Sequence, residues 1–90
     1  MRNVEILVSG RVQGVGYRYF ALRKAKSLNI KGTVQNLWSG KVKIIAQCEE
    51  TSLKIFLKEL KKGPIMSYVS KLEISELSST KEYNDFRVKF

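Results

Sequence analysis

The sequence predicts an α+β sandwich in which one mostly antiparallel sheet carries two helices on a single face. Three observations predict it. Apolar residues alternate with polar ones at 4–12, 33–37, 41–48 and 68–74, the period of half-buried strands. Two segments, 17–28 and 51–62, carry apolar residues at helical spacing. The order is β-α-β-β-α-β with a short alternating run at 86–90 after it. Strands and helices in that order build two layers around one core, a ferredoxin-like sandwich.

Val4, Ile6 and Val8 share one face of the first strand, which extends to Val12, and Gly10 marks a bulge or a close backbone approach. A loop covers 13–17. In the first helix Ala21, Ala25 and Leu28 are spaced 4 and 3, and Arg23, Lys24 and Lys26 suit its C-terminal end. Asn29 and Gly32 are expected to end it. The second strand, 33–37, meets the third, 41–48, through a Trp38-Ser39-Gly40 hairpin. Thr51 or Ser52 is expected to cap the second helix, whose stripe is Leu53, Phe56, Leu57 and Leu60. Gly63-Pro64 breaks it. A fourth strand at 68–74, a polar loop at 78–84 and the final strand at 86–90 complete the chain.

Ninety residues, 43% hydrophobic and 28% charged, fit one domain over residues 1–90. No apolar run exceeds four residues, far short of the roughly 20 of a membrane span, and no secretory leader pattern opens the sequence. Cys48 is the only cysteine and reads as a small buried hydrophobe. A single thiol without a leader makes the cytoplasm the expected compartment. There is no histidine, so Ser-His and Cys-His pairs are excluded, and no carboxylate cluster has metal-ligand spacing. The chemistry is expected to need no metal and no cofactor.

Net charge is +9, unevenly placed: residues 1–45 hold nine basic residues and one acid, residues 46–90 eight and seven. Such a field draws anions. The basic half contains Gly10-Arg11-Val12-Gln13-Gly14-Val15-Gly16-Tyr17-Arg18, glycines on a strand-to-helix turn. Tight turns there expose N–H groups of Gln13, Gly14, Val15, Gly16 and Tyr17 beside a helix N-terminus, a cradle for an oxyanion, most plainly phosphate. Arg18, in the first helical turn, opposes the helix dipole unless an anion sits between it and the loop. A solvated surface arginine is the alternative, and the loop favours the anion site. Asn36, unusual in a strand, is either turn chemistry beside the hairpin or an amide that bonds a water or substrate oxygen. The residue types alone do not choose. Tyr17, Tyr19, Trp38 and Tyr68 with +9 raise a nucleic-acid-binding module, but the third strand, Lys41 to Cys48, has no aromatic for stacking bases. No nucleic-acid partner is expected.

The run Gly10 to Arg18, Gly32-Thr33-Val34-Gln35-Asn36, the Ser39-Gly40-Lys41-Val42 hairpin, Gly63-Pro64 and Asp85-Phe86-Arg87-Val88 together resemble the acylphosphatase family over essentially the whole chain. Tyr17, Thr33 and Trp38-Ser39 depart from the family's usual residues; none of them touches Arg18 or Asn36. The resemblance implies hydrolysis of acyl phosphates to a carboxylate and inorganic phosphate without a metal. It implies that Arg18 and the loop amides of 13–18 hold the phosphoryl group and that Asn36 positions the attacking water. The missing histidine fits, because a carboxylate leaving group with a pKa of about 4 departs without a general acid. A small-molecule acyl phosphate is the expected partner, with phosphate or sulfate as a product-like ligand and the chain acting as a monomer. The same fold occurs fused within larger carbamoyl-transfer proteins.

Overall fold

The computed structural model describes residues 1–78 and 81–90; positions 79–80 of the expected polar loop lie outside the described residues. The elements are β1 (Arg2–Arg11), α1 (Tyr17–Ser27), β2 (Lys31–Asn36), β3 (Val42–Cys48), α2 (Glu50–Lys62), β4 (Tyr68–Glu76) and β5 (Phe86–Lys89). They form one sheet in the order β4-β1-β3-β2-β5. All pairings are antiparallel except β2 with β5, which is parallel. The ferredoxin-like α+β prediction therefore holds, with β5 added beside β2.

Alternation decides which side of the sheet is covered. Ile74, Ile6, Ile44, Val34 and Val88 stand in register across all five strands. Val4, Val8, Val42 and Ala46 continue the same face, and all are buried. Above it, α1 packs over β2 and β5, and α2 over β3 and β4. Ala21 and Ala25 let α1 approach closely, while Leu53, Phe56 and Leu60 of α2 fill the space between, with Phe56 edge-on to Phe86 at 6.2 Å. The opposite face is laced with ion pairs, including Lys43 with Glu5 at 3.8 Å and Lys41 with Glu73 at 3.8 Å. Among the described residues no helix is long and apolar enough to cross a membrane.

Two local expectations hold, at Gly10 and Asn29, and two change, at Gly32 and at the start of α2. Gly10 does make a close approach: a Cβ there would meet the Tyr68 carbonyl at 2.1 Å. The register shifts between Ser9 and Gly10, where two residues of β4 oppose one of β1, so the extra residue of the bulge is in β4. Asn29 ends α1 with φ 58°, and the Ile30 N–H donates to Ala25 O at 2.8 Å and the Asn29 N–H to Lys26 O at 3.2 Å. That is the Schellman arrangement, closed by buried Ile30. Gly32 has no part in it; it lies inside β2, where a Cβ would meet the Ile45 carbonyl at 1.8 Å. Neither Thr51 nor Ser52 caps α2, which starts at Glu50 after extended Glu49. Cys48 before the cap and Leu53 in the first turn both enter the core, and this hydrophobic staple fixes the start. Burial pushes the Cys48 thiol up, with Glu49 adding to the effect, as suits a thiol packed as a hydrophobe.

Candidate active site

The loop between β1 and α1 is shaped by alternation of conformation. Gly14 and Gly16 have φ of 75° and 79°, which only glycine adopts at little cost. A Cβ at either would meet nothing within 4 Å, so glycine is needed there for its dihedral and not for space. Between them Val15 packs against the core and tethers the loop. Left-handed Gly16 is the N-cap of α1; no side chain caps the helix and no acid sits in its first turn. The first N–H groups of α1 are therefore left for an external acceptor.

Gln13 anchors the loop from the other side. Its Nε2 donates to the carbonyls of Leu37 at 2.8 Å and Lys41 at 2.9 Å, the two ends of the β2–β3 hairpin. The side chain is thus committed to protein, and any bond from Gln13 to an anion falls to its backbone N–H. Tyr17 is buried in the core, and its hydroxyl donates to Leu60 O at 2.6 Å, filling a carbonyl that the last turn of α2 leaves open. Burial holds its phenol well above the ordinary tyrosine range.

Arg18 is half-buried and its guanidinium carbon lies 5.1 Å from the centroid of the Phe90 ring. Among the described residues no carboxylate pairs with it. Asn36 stands at the last position of β2, opposite Val42 and on the same sheet face as Val34. The helices cover that face, so the Asn36 side chain lies under the loop. Its Oδ1 is buried and has no hydrogen-bond partner. A cavity of about 100 Å³ brings these groups together: Gly14, Gly16, Tyr17, Arg18 and Asn36 all line it. An uncompensated buried amide oxygen costs about 1–3 kcal/mol, so this geometry favours a donor arriving from the cavity. The arrangement matches an anion held by helix N–H groups and a guanidinium, with a neutral acceptor beside it.

Strand alternation from Val34 already puts Asn36 on the core face. The Gln13 clamp, the Tyr17 bond to α2 and the Phe90 ring over Arg18 have no comparable signal, since each joins segments remote in sequence.

The Acylphosphatase family model matches residues 4–88. An acylphosphatase of Thermotoga petrophila is 43% identical over 90 residues, covering 100% of this chain and 99% of its own length. The crystal structure of an acylphosphatase from Bacillus subtilis superposes with a TM-score of 0.95 at 34% identity and covers 100% of both chains. HypF of T. kodakarensis superposes with a TM-score of 0.89 at 30% identity over 100% of this chain but 12% of that one.

Proposed function

We propose, for a chain that belongs to the acylphosphatase family and is a hydrolase of acyl phosphates, that Arg18 and the loop hold the phosphoryl group while Asn36 orients the attacking water. The observation that carries this reading is that Asn36, whose Oδ1 is buried and unpartnered, lines the same small cavity as the glycine loop and Arg18. The backbone N–H groups of 13–18 and the guanidinium surround the phosphoryl oxygens, whose charge they neutralise as the bond to the leaving carboxylate lengthens. Water donates one hydrogen to Asn36 Oδ1, which turns a lone pair toward phosphorus. The carboxylate leaves as an anion, so neither a general acid nor a metal is required. The water's second proton passes to a phosphate oxygen. Inorganic phosphate is the second product, and phosphate or sulfate fits the same cradle.

The same reading takes residues 1–90 as one domain working as a monomer in the cytoplasm. One continuous core shared by both helices and the sheet supports the single domain.

Benzoyl phosphate hydrolysis in the presence of a chelator tests the reading, with phosphate expected to inhibit competitively. Arg18→Ala is expected to lower kcat/KM at least about 10²- to 10³-fold, the scale of losing one oxyanion donor. Asn36→Ala is expected to lower kcat about 10²-fold with little change in KM. Full activity in Arg18→Ala, or loss of turnover on adding chelator, rejects it.

A further inference from the structure

We propose that the groove between α1 and β5 is the acyl subsite of this enzyme, and that Lys26 selects acyl phosphates whose acyl chain ends in a second anionic group. The proposal rests on the roles given above to Arg18 and Asn36. The groove has a volume of about 460 Å³, and Tyr19, Leu22, Val88 and Phe90 line it together with Arg18 and Lys26. That volume falls within the range of small-molecule sites. Arg18 and Tyr19 also line the cavity under the loop, so these two side chains border both spaces.

The reaction sets the direction of the acyl group. Phosphoryl transfer puts the attacking and leaving oxygens in line through phosphorus. Asn36 lines the loop cavity and a second cavity toward Trp38, and it does not line the groove. A leaving group opposite the Asn36 water therefore departs toward Arg18 and Tyr19, where the groove opens.

The groove's chemistry selects the part of the acyl chain beyond the carboxyl carbon. Arg18, Leu22 and Lys26 succeed one another four residues apart, so they share one face of α1, and Lys26 stands about 12 Å along the axis from Arg18. Partly buried Leu22 and the Phe90 ring supply apolar surface between the two cations. Arg87, also in the groove, is already engaged: its Nε donates to Asp85 Oδ1 at 3.0 Å and Oδ2 at 3.2 Å. Lys26 is exposed, and among the described residues no carboxylate pairs with it. Methylenes lying on Leu22 and Phe90 bring a terminal carboxylate to this ammonium.

The test compares kcat/KM for adipoyl monophosphate and hexanoyl phosphate, equal in chain length and differing in the terminal carboxylate. The wild-type chain is expected to prefer the adipoyl compound about three- to fivefold, the contribution of one exposed charge pair. Lys26→Gln is expected to bring the ratio to about one by raising KM for the adipoyl compound. Lys58→Gln, which removes an equal charge from the exposed face of α2, leaves the ratio in place. A wild-type ratio of one, a ratio unchanged by Lys26→Gln, or an equal loss in Lys58→Gln overturns the proposal. Failure of the underlying site reading is separately visible, as full benzoyl phosphate turnover in Arg18→Ala.

Discussion

Tyr17 joins the loop to the opposite helix: its ring lies in the core and its hydroxyl donates to Leu60 O. Gly63 stands close by, and a Cβ there would come within 3.2 Å of the Tyr17 ring. The buried phenol resists ionisation, which gives a pH dependence with a definite sign. Its folded pKa is raised above the unfolded value of about 10. The stability it contributes is therefore complete below pH about 10 and is lost as pH rises beyond that. Tyr17→Phe is expected to cost about 1 kcal/mol in urea unfolding at pH 8, from the Leu60 carbonyl left unpaired. The deficit is expected to shrink steadily above pH about 10; a deficit that stays constant to pH 11 contradicts the assignment. In the sequence Tyr17 is legible as an aromatic at the start of a helix. Its partner is not, because 43 residues separate the two.

Between elements, the hydrogen bonds of Gln13 to both ends of the β2–β3 hairpin set the loop against the strand that carries Asn36. Backbone torsions alone do not hold that registration, since the loop contains two left-handed glycines that leave it intrinsically permissive. Gln13→Ala is expected to lower kcat/KM for benzoyl phosphate about tenfold, about 1.4 kcal/mol of transition-state stabilisation, with a loss of about 1 kcal/mol in urea unfolding. A variant with wild-type kinetics and only the stability loss would make Gln13 purely structural. The elements themselves were readable from alternation and helical spacing, because one face of each is buried by the other layer. Their ends were less so. The start of α2 at Glu50 is set by where Cys48 and Leu53 enter the core, and side-chain capping preference at Thr51 or Ser52 is overridden.

Over the whole molecule, the net charge of +9 surrounds the cradle with a positive potential. Acyl phosphates are anions, so kcat/KM is expected to fall several-fold as sodium chloride rises from 0.01 to 1 M, over which the Debye length contracts from about 30 to about 3 Å. An unchanged kcat/KM would mean the field plays no part in substrate capture. Lys24 and Glu59 tie the two helices at 3.2 Å, and the Lys24 ammonium holds the Glu59 carboxyl below its usual range. The two-layer architecture, the glycine loop before α1, the family, and the chemistry open to a chain without histidine are all legible in the sequence. These depend on periodicity, composition and short-range motif spacing, all local properties of a chain. Three-dimensional packing buries Asn36 Oδ1 without a partner, puts Asn36 in the lining of the cavity that Arg18 shares, and commits the Gln13 side chain to the hairpin. It alone set Phe90 over the guanidinium and opened a groove between α1 and β5. The physical reason is strand pairing. β5 lies parallel to β2 at the sheet edge, and no local pattern in the sequence specifies which neighbour a terminal strand will choose.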